Sequence, residues 1–176
     1  DLFLIHRPSP IMNADEIAQA FTHLKETGKA LHFGVSNFTP SQFKLIHDRF
    51  PLVTNQVQAS ASHLAPFLDD TFDQGQRLRC APMAWSPLGG ATFFDDKAEG
   101  RTLRLRQKVN EIAKRLNVLE EQILLAWLFK HPANIIPVLG TTRKDRLEAA
   151  VKAQAIQLDT QTWFEIWESS MGKEVP

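Results

Sequence analysis

Leu2-Phe3-Leu4-Ile5-His6-Arg7-Pro8 opens the chain with four apolar residues that run straight into a histidine. An unbroken apolar run of this length, with no polar face, is how a strand buried on both sides of a parallel sheet reads. Four more such runs follow, at residues 31–35, 53–57, 81–85 and 135–139.

Helix signals follow each run. Asn13 is placed to cap a helix, with Glu16 reaching back, an apolar stripe of Ile17, Phe21 and Leu24, and Gly28 as its stop. Thr39-Pro40-Ser41-Gln42 is a second start, combining a capping threonine, a proline in the first turn and a glutamine three residues on. The third connection is short, around 65–76. The fourth is long and predicts two helices, 105–116 and 120–130. The fifth helix starts near Thr142 and carries Leu147 and Val151. A last helix follows Asp159-Thr160 with Trp163, Phe164 and Trp167. Strands that alternate with helices predict an α/β fold with a parallel sheet, and no linker or low-complexity segment divides residues 1–176 into more than one domain.

Bulk composition removes several classes of function. Lys+Arg and Asp+Glu both number 20, so no net field favours nucleic acid or an acidic membrane. The longest apolar run, residues 123–129, is too short to cross a bilayer, and no signal peptide is visible. The one cysteine, Cys80, excludes an internal disulfide and fits a reducing, cytoplasmic setting as a buried packing thiol. No histidine has metal-ligand spacing with Cys80 or a carboxylate, and His47 and His131 read as surface or helix-end residues. The G-x-G-x-x-G fingerprint of a Rossmann domain is missing as well.

Chemistry in parallel α/β proteins gathers at the carboxyl ends of the strands. Those ends carry His6-Arg7, Ser36-Asn37, Asn55-Gln56, Trp85-Ser86-Pro87-Leu88-Gly89 and Gly140-Thr141-Thr142-Arg143. Each has a plain structural reading when taken singly: a turn, a packed indole, a satisfied amide. Polar or aromatic groups at all five ends together point to a site. The fifth end has its own physics. Gly140 permits close backbone approach, Thr141 and Thr142 stand at a helix start whose free N–H groups attract anions, and Arg143 and Arg146 share a helix face.

Five blocks, residues 2–8, Gly28-Lys29-Ala30-Leu31-His32-Phe33-Gly34-Val35-Ser36-Asn37-Phe38, Thr54-Asn55-Gln56-Val57, residues 84–90 and Val138-Leu139-Gly140-Thr141-Thr142-Arg143, together resemble the aldo-keto reductase superfamily. The order matches the fourth to eighth strands of its (β/α)8 TIM barrel. The detail is nearest to bacterial oxidoreductases related to potassium-channel beta subunits, including the tail Met171-Gly172-Lys173-Glu174-Val175-Pro176.

The resemblance implies NADPH-dependent reduction of aldehydes or ketones, with NADP(H) as cofactor and a small-molecule carbonyl substrate. His6 takes the catalytic histidine's place. Ser36, Asn37 and Gln56 would hold the nicotinamide carboxamide, and Trp85 would stack on its ring. Ser86, Pro87, Leu88 and Gly89 would follow the pyrophosphate. Gly140, Thr141, Thr142, Arg143 and Arg146 would hold the 2′-phosphate.

Two departures from the family pattern stand out. Glu148-Ala149-Ala150 replaces a Glu-Asn pair near the adenine, and Val118-Leu119 replaces a small polar cap before the helix at Glu120. The family's proton-donating tyrosine, with its lysine and aspartate, belongs to the first three strands, and the chain holds no tyrosine. The expectation is therefore a carboxyl-terminal portion, inactive alone, that leans on the missing amino-terminal half or on self-association. The alternative is a non-catalytic NADP(H)-binding or regulatory interaction module.

Overall fold

The computed structural model describes residues 1–95 and 98–174 of the chain, so Val175 and Pro176 of the family-like tail lie outside the described residues. Five parallel strands form one sheet in chain order: β1 (Leu2–Ile5), β2 (His32–Ser36), β3 (Asn55–Gln58), β4 (Met83–Trp85) and β5 (Ile136–Pro137). The connecting helices are α1 (Ala14–Glu26), α2 (Pro40–His47), α3 (Thr71–Leu78), the pair α4 (Gly100–Leu116) and α5 (Glu120–Phe129), then α6 (Lys144–Lys152) and α7 (Thr160–Met171). This is the strand–helix alternation that the hydrophobic runs predict. The third strand is expected from Val53 and starts at Asn55. Val53 N–H still bonds to Phe33 O at 2.8 Å and Thr54 O still accepts from Val35 N–H at 3.1 Å, so only the element end differs.

The helix starts follow their capping chemistry. Asn13 Oδ1 accepts from the amides of Asp15 (2.9 Å) and Glu16 (3.4 Å), and Asn13 Nδ2 donates to Glu16 Oε1 at 3.2 Å. Thr39 and Gln42 exchange reciprocal bonds around Pro40, giving the capping box that the sequence predicts. At α5 the departure from a polar cap is visible. Leu119 has no acceptor to offer, so only half a box forms, with Leu119 N–H donating to Gln122 Oε1 at 3.0 Å. The uncapped end should cost that helix roughly 1 kcal/mol. Burial compensates, because Gln122 to Leu128 are all buried, as in a helix apolar on every side.

Two cores hold the sheet. Phe21, Phe33, Phe43, Ile46, Phe50 and Leu52 pack α1 and α2 behind β2, with the Phe21 and Phe33 rings 4.6 Å apart. Cys80 belongs to this core. Its buried thiol donates to Leu52 O at 3.1 Å, and burial pushes its pKa up, so it is an inert packing residue. The second core joins α4, α5 and α7. Trp127 and Trp163 stack with centroids 5.0 Å apart, and each indole N–H donates to the other residue's carbonyl, at 3.1 and 3.0 Å.

Two expectations of burial fail. The first strand is not covered on both faces: Leu2 is 40% and Phe3 46% exposed, because β1 is an edge strand paired on one side, to β2. Leu147 and Val151 do not form the buried stripe of α6. They are 40% and 65% exposed, and the small Ala150 is the residue that packs on Leu125 of α5.

One strand position has no slack. A Cβ on Gly34 would stand 2.7 Å from both Leu4 Cδ2 and Thr54 O. Gly34→Ala should therefore destabilise the protein by about 1–3 kcal/mol, through overpacking, in urea unfolding. A change below half of the lower figure would mean that β1 and β3 can spread at this level.

His131, just past α5, sits between Phe67 and Phe72 with ring centroids 5.2 Å from each, and its Nδ1 accepts the Ala133 amide at 3.2 Å. Burial lowers its pKa below the ordinary 6.5, with Asp73 opposing weakly. The unfolded chain thus takes up this proton more readily than the folded one. The neutral ring's contribution is full above 6.5 and is lost as pH falls from there towards the folded-state value. The urea midpoint should drop on acidification from about pH 7.5 to 5.5 more steeply in the wild type than in His131→Asn. Parallel pH profiles for the two proteins would exclude this account.

Candidate active site

Parallel pairing brings the strand ends to one side of the sheet. In register, Ser36 stands beside Gln56, Gln56 beside Met83, and Gln58 beside Trp85. Partners in a parallel ladder point their side chains to the same face. Ser36, Gln56, Met83 and Trp85 therefore share the face opposite the buried Val57 and Ala84.

Asn37 ties this row together. Strand alternation would aim it at the opposite face, but its φ of 60° turns it back. Asparagine is among the few residues that tolerate this left-handed conformation. Its Oδ1 accepts the Trp85 indole N–H at 2.9 Å, so the contact crosses β3. Its Nδ2 donates to Ser36 Oγ at 2.9 Å and to the His6 carbonyl at 3.4 Å. Its own amide donates to Gln56 O at 2.9 Å, and Ser36 Oγ donates to the same oxygen at 2.9 Å. One residue thus connects the ends of β1, β2, β3 and β4. Ser36 is buried and fully engaged with its neighbours, which makes it part of the floor beneath the mouth. Gln56 is half-buried, and among the described residues its amide reaches only the Met83 sulfur, at 3.9 Å. His6 is exposed above the end of β1.

After Trp85 the chain turns sharply. Ser86 has a φ of 50°, and Gly89 N–H donates to Ser86 O at 3.0 Å. Glycine is required at 89, where φ is +85° and a Cβ would lie 2.6 Å from Ser62 Oγ. Pro87 is buried and Leu88 half-buried, with Leu88 packed against the helical core.

The end of β5 is the neighbouring strand end. Thr141 Oγ1 accepts the Arg143 amide at 3.2 Å and shapes the entry to α6. Arg143 occupies the cap position without a side-chain cap bond. Thr142, Arg143 and Arg146 are exposed, and Gly140 has open space where a Cβ would stand. Arg143 is bonded twice to Asp145, with Nε donating to Oδ1 at 3.1 Å and Nη2 donating to Oδ2. This pairing, together with the amide of Arg146, holds the Asp145 carboxyl below its ordinary pKa. No hydrogen bond links this segment to the Asn37 network among the described residues. Neither the indole–Asn37 bond nor the Asp145 pairing follows from reading strand ends one at a time. The signals for them are an asparagine where the chain leaves a strand and an acid two residues past an arginine at a helix start.

Among the described residues, no group of three His, Cys, Asp or Glu side chains could hold a metal ion, and no helix is long and apolar enough to cross a membrane. A lightly engaged amide, a half-buried indole, open backbone at Gly90 and Gly140 and two exposed guanidinium groups lie along one side of the sheet.

The aldo/keto reductase family matches residues 1–170. Oxidoreductase YdhF of Escherichia coli (strain K12) is 46% identical over 179 residues, covering 100% of this chain and 59% of that protein. A 6-dehydroglucose reductase of Agrobacterium fabrum is 41% identical over 177 residues, covering 99% of this chain and 58% of its own length. The crystal structure of a thermostable aldo-keto reductase, Tm1743, in complex with the inhibitor epalrestat matches with a TM-score of 0.85 at 27% identity, over 96% of this chain and 59% of that one. This chain thus spans 59% of the solved barrel's length and the same share of YdhF, and its parallel sheet and helices are a sector of that TIM barrel. With a family match over nearly its whole length and strand ends gathered into one mouth, the chain belongs to the aldo/keto reductase family.

Proposed function

We propose that this chain is the cofactor-holding portion of a cytoplasmic NADPH-dependent reductase of aldehydes or ketones. The observation that carries the reading is the Asn37-centred network, which brings the strand ends bearing His6, Ser36, Gln56 and Trp85 to one mouth. When bound, NADPH supplies the hydride that reduces the carbonyl carbon.

The chain's own residues orient and bind. The Trp85 indole is held in one plane through its N–H and offers a ring face for stacking, which selects the face of the nicotinamide turned to the substrate. Gln56 offers a carboxamide that can pair with another carboxamide through one donor and one acceptor. An N–H of the His6 imidazole orients the substrate carbonyl and polarises it as negative charge develops on oxygen. Arg143, Arg146 and the first amides of α6 favour the 2′-phosphate, which supports NADP over NAD. Ser86 to Gly89 form the turn beside which the pyrophosphate lies.

The reduced oxygen must also gain a proton, and this chain has no tyrosine to donate it. Loss of a positioned acid typically costs about 10²–10⁴-fold in rate. The edge strands β1 and β5 each have one unpaired side among the described residues, so added strands can complete the barrel wall. We propose an amino-terminal segment of the family type as that partner.

Purified alone, the chain should show no NADPH oxidation with a reactive aldehyde, and mixing it with a separately expressed amino-terminal half of a close relative should restore turnover. Turnover by the chain alone that is abolished by His6→Ala would overturn the divided-site reading. For the cofactor, Arg143→Ala with Arg146→Ala should loosen NADPH by about tenfold or more while changing NADH much less, in direct binding measurements. Equal weakening of both would show that the two arginines do not read the 2′-phosphate.

A further inference from the structure

The start of α6 is nearly charge-balanced although three cations stand there. Arg143 is taken up by both oxygens of Asp145, and Lys144 pairs with Glu148 at 3.6 Å. Arg146 has no ion-pair partner among the described residues. The Arg143–Asp145 pair is a fork-to-fork contact, the same two-pronged geometry with which a guanidinium binds a phosphate. The carboxylate also stands in the first turn of α6, beside the helix-start N–H groups that would attract an incoming anion. Asp145 therefore engages the Arg143 donors that a two-pronged phosphate contact would use.

We propose that Asp145 is a specificity-determining residue that competes internally for the 2′-phosphate subsite and narrows the preference for NADP(H) over NAD(H). This rests on the reading of 140–146 as the holder of the adenosine ribose. A 2′-phosphate must displace the carboxylate from Arg143 and then tolerate it nearby as a like charge. An unphosphorylated ribose meets the opposite situation, because an Asp carboxylate accepts hydrogen bonds from ribose hydroxyls. One side chain thus acts against one cofactor and in favour of the other. The pair is solvent-exposed, 63% and 64% at the two side chains, so it is held weakly enough to be displaced. Its role is to set a ratio and not to close the site.

The test is calorimetric binding of adenosine 2′,5′-bisphosphate and of adenosine 5′-monophosphate to the 176-residue chain at fixed ionic strength. Wild type, Asp145→Asn, Asp145→Ser, Arg143→Ala and the Arg143→Ala/Asp145→Asn double variant are compared, with folding of each checked by circular dichroism. Asp145→Asn and Asp145→Ser should tighten the bisphosphate by roughly two- to tenfold and leave the monophosphate unchanged or weaker. Asparagine and serine differ in size and share only the loss of the charge, so agreement between the two variants, with unchanged circular dichroism, removes helix fraying as the cause. In the Arg143→Ala background the gain should largely vanish, since the competed group is gone. An unchanged ratio of the two ligands in both Asp145 variants, with Arg143→Ala still loosening the bisphosphate, would overturn the inference and leave the phosphate reading standing. Bisphosphate binding that is absent, or indifferent to both Arg143→Ala and Arg146→Ala, would overturn the reading itself and the inference with it.

Discussion

The parallel ladder between β2 and β3 is the constraint on which the mouth depends. It sets Val35 beside Asn55 and Ser36 beside Gln56, and this fixes which side chains share a face. Because a strand alternates with a period of two, a slip of one residue would send Gln56 into the helical layer and Val57 into the mouth. The register is held from both sides of the sheet. On the helical side Phe33, Val35 and Leu52 are buried among the aromatic rings of α1 and α2. On the other side Gly34 leaves just enough room for Leu4 and the Thr54 backbone. A larger residue there would part the strands at the level below Ser36.

The position of the anion-attracting end is set by a different part of the molecule. The two-residue strand β5 is too short to orient the segment after it. The helix α5, buried from Gln122 to Leu128, does so instead. Gln122 Nε2 donates to Ala149 O at 3.0 Å, and Leu125 packs on Ala150 and Ala153, so α6 is anchored by its last turns. Its first turn, with Arg143, Asp145 and Arg146, is left exposed. α5 is in turn fixed by the Trp127–Trp163 stack and its reciprocal indole bonds. Aromatic packing far from the mouth thus decides where the guanidinium groups stand.

Strand order, helix starts and the gathering of the strand ends are legible in the sequence because each rests on local chemistry. A run of apolar residues, Asn13 three before Glu16, and Thr39 before a proline depend on neighbours a few positions away. Properties that depend on distant partners are hidden there. The exposure of Phe3 comes from the lack of a strand on its outer side, and that of Val151 from the choice of Ala150 as the packed face of α6. The bond between Asn37 and Trp85 joins residues 48 apart, and it needs a left-handed backbone that no periodicity reports. Ser36 reads in the sequence as a ligand-holding group. Its hydroxyl is buried, donating to Gln56 O and accepting from Asn37, a pairing that reading strand ends does not report.

The network also explains why the centre of the mouth is firm and its flanks are not. Ser36, Asn37 and Trp85 lie on or just past β2 and β4, which pair on both sides, and their hydrogen bonds close on one another. His6 and the 140–146 segment follow β1 and β5, each paired on one side only. His6 is reached through its carbonyl and not its ring, and Arg143 finds its nearest acceptor in its own helix. A group that recognises a bound molecule must keep donors or acceptors uncommitted, or committed so weakly that the ligand can exchange them. By that criterion the interior strands supply the rigid platform, where a fixed ring plane matters most. The edge strands supply the exchangeable contacts, the exposed His6 after β1 and the exposed Arg143 and Arg146 after β5. Gln56 on the interior β3 departs from this division, because its side-chain amide reaches only the Met83 sulfur among the described residues and stays free to exchange.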